Sequence, residues 1–186
     1  MSSNNRKDVS IVPWYHWPHM IVATGLGTGF WPWGPVTLAG FVALIFWLWM
    51  HSFLSPLSLA YSSIALIVLT LIVGIYTDKI MEKYWGEDPR TVVIDEFFGT
   101  WIAVLAVLFC PNEPSYNSIT LAFIAFTLFR IIDITKPLGC RWVDNNIHGG
   151  LGCMLDDALA GFYAIIITLL IRFTGIIEII HDLVFV

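Results

Sequence analysis

Residues 129–161 read FRIIDITKPLGCRWVDNNIHGGLGCMLDDALAG. Four aspartates, three basic residues and a histidine make a polar hinge here between two apolar runs. The whole chain is 58% hydrophobic and only 12% charged. Ionisable groups beside so much hydrocarbon are costly to keep, so such a cluster marks a functional site by default. The hinge separates two membrane-spanning segments and gathers polar chemistry between them. Its mixture of carboxylates and cations suits a metal ion and a phosphate.

Working outward, the 186 residues have a mean hydropathy of +0.78, too apolar for an ordinary soluble domain. Nine Trp and six Tyr add amphipathic rings that favour membrane–water interfaces. The length accommodates one domain of about four to six spans at about 20 residues each. A net charge of -5 and the lack of a long basic run argue against a nucleic-acid partner. Cys110, Cys140 and Cys153 have no CxxC spacing, and their odd number argues against a disulfide framework. Cys140 and Cys153 lie near the hinge, which leaves a metal or nucleophile role open beside the commoner one of apolar filler. Arg6 and Lys7 could open a signal peptide, but the next stretch is broken by Pro13, Pro18, His16 and His19, so no cleavable leader is expected.

Residues 11–40 carry Trp14, Tyr15, Trp17, Trp31 and Trp33 among glycines and prolines. Pro18, Pro32 and Pro35 rule out one straight spanning helix. The segment reads as an interfacial helix and then a glycine-rich loop, or as a loop that anchors the first span by its aromatics. Five apolar segments follow, at 38–54, 59–77, 97–110, 119–134 and 158–173. The expected fold is all-α: a polytopic helical membrane protein of about five transmembrane helices with an N-terminal interfacial segment. Residues 1–24 form the tail and aromatic segment, 25–173 the membrane domain, and 174–186 an amphipathic C-terminal tail. The short loops 55–58 and 111–118 hold no Lys or Arg, whereas 78–90 holds Lys79, Lys83 and Arg90, and the next long loop Lys136 and Arg141. By the positive-inside rule the N-terminus and both long loops are cytoplasmic, with only Arg172 arguing otherwise.

Three charged clusters then meet on one face of the membrane. Asp95-Glu96 opens the third span, and Asp156-Asp157 the fifth. Either pair alone suits the positive end of a helix dipole. Arg130, Asp133 and Lys136 are spaced three apart, close to one helical face. Together Asp95, Glu96, Asp133, Asp156 and Asp157 would repel one another unless neutralised, and hard oxygen clusters suit Mg2+. Arg130, Lys136 and Arg141 supply cations for an anion, the combination used in phosphoryl chemistry. His148, followed by two glycines, is a candidate acid or base, with a buried structural histidine as the alternative. Walker, Cys-x5-Arg, DxDxT and KxxxxxxRP strings are all absent. No covalent nucleophile is evident, which favours attack by metal-activated water. A divalent-cation transporter is the rival reading, since juxtamembrane carboxylates also line ion paths. A structural scaffold is the third.

The chain resembles the phosphatidylglycerophosphatase A family in three strings: GTGFWPWGPVTLAG from Gly27, DPRTVVIDEFFGTWIA from Asp88, and the hinge itself. The resemblance runs from about Gly25 to Tyr163. It implies an all-helical enzyme of the bacterial cytoplasmic membrane that removes the terminal phosphate of phosphatidylglycerophosphate with Mg2+, its site facing the cytoplasm. On this resemblance Asp95, Glu96, Asp133, Asp156 and Asp157 hold metal, and Arg130, Lys136, Arg141 and Thr37 hold substrate. His148, Asp157 and Lys136 are catalytic, with Glu82 and Asp144 as further candidates. The implied partners are the bilayer and a phospholipid substrate; a homo-oligomer is left open. Where the family reads PGTxGS, this chain has Pro35-Val36-Thr37-Leu38-Ala39-Gly40, keeping the threonine and losing two glycines.

Overall fold

The computed structural model describes residues 9–86, 89–110, 115–137, 139–147 and 149–175. Among these the elements are helical throughout, with no strand. They are α1 (Trp17–Ala23), α2 (Pro35–Phe53), α3 (Pro56–Trp85), α4 (Ile94–Val104), α5 (Ser115–Thr135), α6 (Cys140–Asn146) and α7 (Gly150–Phe173). Short 3-10 turns precede α1 and α2, and another, Leu105–Phe109, continues α4. Three prolines mark starts rather than breaks. Pro18, Pro35 and Pro56 each occupy the first turn of a helix, where a missing N–H costs nothing. Ser55 caps α3 by accepting from the Ser58 amide.

Four helices, α2, α3, α5 and α7, are long and apolar enough to cross a membrane. The remaining apolar segment differs from the expected span. Its α-helical part is only 11 residues, and it packs against α2, α3, α5 and α7 together. Every residue from Glu96 to Val104 is buried. A helix that is apolar all round belongs in a core, and α4 is the core of this bundle. Its polar edges are met from neighbours: the Trp101 indole donates to the Ala43 carbonyl at 3.1 Å. Small residues bring α4 and α7 close. A Cβ on Gly161 would stand 2.9 Å from Ile102 and 3.0 Å from the Gly99 carbonyl. Close backbone approach through small residues is how helices pack where lipid removes the hydrophobic drive between them.

Two helices extend beyond the hydropathy reading. Helix α3 runs on past 77 to Trp85, through Asp78 and Glu82. Helix α7 starts at Gly150, not near 158, so Asp156 and Asp157 lie in its second turn and beyond. The expectation that this pair sits at a helix start is therefore corrected, and the capping explanation with it. The same contacts explain both shifts. Asp78 and Glu82 of α3 face Gly150 and Gly149, so the charged ends of the two helices shield each other. The starts of α2, α4 and α7 and the ends of α3 and α5 thus share one end of the bundle. The Gly25–Phe30 loop lies at that end, the Ala23 carbonyl just before it accepting from the Val93 amide at 2.8 Å. The C-terminal tail from 176 lies outside the described residues.

Candidate active site

The polar end is assembled from three helices. Helix α4 begins with Ile94, and Asp95 in its first turn accepts from the Glu96 amide at 3.0 Å. Helix α5 ends with Arg130, Asp133 and Thr135, and Lys136 closes it with its amide on the Ile132 carbonyl at 2.8 Å. Lys136 adopts a positive φ of 45°, a conformation that strains a side chain-bearing residue. Pro137 then prevents the helix from continuing. Helix α7 supplies Asp156 and Asp157 from inside the bundle, both 4% exposed.

The charges are paired in a definite order. Arg130 Nη1 donates to Glu96 Oε2 and, at 2.9 Å, to Asp133 Oδ2. Lys136 Nζ lies 2.7 Å from Asp156 Oδ2. Asp133, Asp156 and Asp157 each direct one oxygen to a common point, the three atoms lying within 4.8 Å of one another. Asp133 and Asp157 approach to hydrogen-bond contact, and Asp95 and Glu96 add negative charge nearby. Asp157 Oδ2 is buried and has no hydrogen-bond partner among the described residues. Carboxylates cannot stand so close in low dielectric without a proton or a cation between them. Ligand oxygens around an octahedral Mg2+ lie about 2.9–4.2 Å apart, so the triad needs only a small closure to fit one. The residues present therefore fit a hard divalent ion.

The remaining sequence candidates fall as follows. Arg141 is exposed on α6, at the polar end. Thr37 is exposed in the first turn of α2, a turn before Gly40, which lies against Thr100 of α4. Glu82 turns its carboxylate to Gly149. The Asp144 side chain and the whole of His148 lie outside the described residues. Cys140 is fully buried, and burial, then the Asp156 carboxylate, push its thiol above the ordinary range. A neutral thiol is a poor nucleophile and a poor ligand, which favours the filler role. Asp78, only 4% exposed, was not among the sequence candidates. The spacing of Asp78 and Glu82, four apart on one helical face, was the available signal, but hydropathy ends the span at 77 and assigns both to a loop.

Three carboxylates that can share a cation, with Lys136 and Arg130 paired to them, can hold a metal ion and an anion side by side. Among the described residues the charges cluster at one end of the bundle, with Arg172 in the last turn of α7 the exception, and do not line a path along the spans, unlike the transporter reading. Residues 21–172 match the profile of the family described as Phosphatidylglycerophosphatase A. A Bacteroides thetaiotaomicron protein described as "Putative phosphatidylinositol-3-phosphatase" is 41% identical over 82% of this chain and 92% of its own. Phosphatidylglycerophosphatase A of Escherichia coli is 37% identical over 80% of this chain and 77% of its own. That of Haemophilus influenzae is 38% identical over 46% of this chain and 48% of its own. No solved structure matches. With the family profile covering four of the five apolar segments in full, the fifth nearly so, and the whole carboxylate group, the chain belongs to the phosphatidylglycerophosphatase A family.

Proposed function

We propose that the protein is a Mg2+-dependent lipid phosphatase that converts phosphatidylglycerophosphate to phosphatidylglycerol and phosphate. The observation that carries this reading is the convergence of Asp133, Asp156 and Asp157 oxygens within 4.8 Å beside Lys136. Those three residues would hold the ion, with Asp95 close enough to add to its field. When bound, the ion would supply positive charge to the phosphoryl group and raise the acidity of water. Lys136 and Arg141 balance the charge of the phosphate's remaining oxygens, and Thr37 is a further donor at the same end. Water attacks phosphorus and gives up a proton to solvent, the bond to the glycerol oxygen breaks, and His148 delivers a proton to that oxygen and is then reprotonated from solvent. The acyl chains stay in the bilayer beside the spans. By its Lys and Arg distribution the polar end faces the cytoplasm.

A second headgroup is supported by the Bacteroides relative, whose description names an inositol lipid. Both substrates are phosphomonoesters on a polyol carried by a phospholipid, so the shared machinery serves either. The deciding experiment uses purified protein in liposomes containing phosphatidylglycerophosphate, phosphatidylinositol phosphate or phosphatidic acid. The proposal expects fastest phosphate release from phosphatidylglycerophosphate. A preference for the inositol lipid by more than tenfold in kcat/KM, about 1.4 kcal/mol, would transfer the assignment to that substrate. No release from any of the three would remove the phosphatase reading.

A further inference from the structure

The family reading leaves open why a buried arginine should sit among the carboxylates. Arg130 is enclosed: its side chain is 11% exposed, Glu96 is 5% exposed, and Asp133 is 15% exposed. One nitrogen, Nη1, serves both carboxylates. The guanidinium carbon lies 5.8 Å from the centre of the Phe129 ring, which is itself fully buried. That ring packs against Gly99, one turn beyond Glu96 on α4, and a Cβ on Gly99 would stand 3.1 Å from Asp157 Cβ. Glu96, Arg130 and Asp133 are thus fixed by the same α4–α5–α7 contact that sets Asp157. Arg130 Nη1 is committed to Glu96, which is buried, and to Asp133, which is partly buried, so drawing it away to a phosphate would leave both uncompensated, which low dielectric strongly opposes.

We infer that Glu96 and Arg130 act through Asp133, fixing its carboxylate toward Asp156 and Asp157 without touching the ion or the phosphate. This rests on the metal-dependent reading above. Arg130 Nη1 is held between Glu96 and Asp133, so its bond to Asp133 Oδ2 fixes the position of that oxygen and limits how the carboxylate turns. That restraint sets where the other oxygen of Asp133 meets an ion. Glu96 has a second effect: by sharing the guanidinium charge it keeps Arg130 from neutralising Asp133 and competing with the cation. Partners that orient a metal-binding side chain govern affinity for the ion more than the chemistry that follows.

The test measures Mn2+ binding by electron paramagnetic resonance on full-length protein in detergent, without substrate, alongside Mg2+ titrations of turnover. Glu96→Gln should weaken Mn2+ binding about 10–100-fold and raise the Mg2+ needed for half-maximal activity by the same factor. Saturating Mg2+ should return its turnover to within about tenfold of the parent. Glu96→Asp, which keeps the charge, should fall between and carries the test if the glutamine variant does not fold. Wild-type Mn2+ affinity in Glu96→Gln with turnover lost at every Mg2+ concentration would overturn the inference, assigning Glu96 to the substrate. Abolished Mn2+ binding would overturn it too, making Glu96 a ligand. Arg130→Lys with unchanged Mn2+ affinity and a raised KM for lipid would restore Arg130 as a phosphate binder. If the parent protein itself binds no Mn2+, the metal reading beneath the inference fails.

Discussion

Lys136 joins backbone strain to electrostatics. Its φ of 45° is one that asparagine tolerates far better than lysine, while its ammonium neutralises Asp156. Lys136→Asn relieves the backbone but strips the buried Asp156 carboxylate of its cation, so the metal-free protein should melt lower while turnover falls about 100-fold. Thermal unfolding and phosphate release on one preparation check both halves; parental turnover in the folded variant would remove the lysine from the phosphate site. Cys140 makes the opposite case, a reactive group held inert. Because burial and Asp156 raise its thiol, the folded protein holds that proton when an unfolded chain would release it. Stability contributed by Cys140 is present at neutral pH and lost as pH climbs through the ordinary thiol range toward the raised folded value. Alkylation of Cys140, followed by mass spectrometry, should be slow at pH 7 in the native protein and rapid after denaturation. At this scale the sequence disclosed which residues matter by charge against an apolar background. It could not disclose who pairs with whom, because Glu96 and Arg130 are separated by 34 residues that only the packing of α4 on α5 brings together.

At the scale of helices, the apolar middles were legible and the ends were not. Hydropathy registers composition, whereas a helix end depends on hydrogen bonds and on what covers its charges. Asp78 and Glu82 extend α3 because Gly149 and Gly150 lie against them, and α7 starts at Gly150 in consequence. The same limit hid the character of α4, whose run of apolar residues looks like a lipid-facing span until its four neighbours are in place. The contact between α4 and α7 is the joint that carries the site. Gly99→Ala would push a methyl group into the Phe129 ring and toward Asp157 Cβ. It should cost about 1–3 kcal/mol of stability and lower the melting temperature. Mg2+ affinity should weaken with it, since Asp157 moves. A Gly99→Ala protein with parental melting and parental Mg2+ dependence would show that the joint is slack.

Among the described residues, with Arg172 alone at the far end, the bundle as a whole divides into an apolar body and one strongly charged end. The Lys and Arg bias of the loops predicts that this end is cytoplasmic. A cysteine introduced at exposed Arg141 should react with a membrane-impermeant maleimide in inside-out vesicles and not in intact spheroplasts; the reverse pattern would invert the topology. Around the triad, the five carboxylates of Asp95, Glu96, Asp133, Asp156 and Asp157 stand against Arg130 and Lys136, an excess of negative charge that a divalent cation is suited to reduce. The central claim is that this excess exists to bind the ion on which phosphate release depends. It is tested most directly by measuring phosphate release from phosphatidylglycerophosphate liposomes by the purified protein, first with EDTA and then with Mg2+ restored. The account predicts no release under EDTA and full recovery with Mg2+ in the parent, with no recovery in Asp157→Asn. Equal release in EDTA and Mg2+ would contradict it.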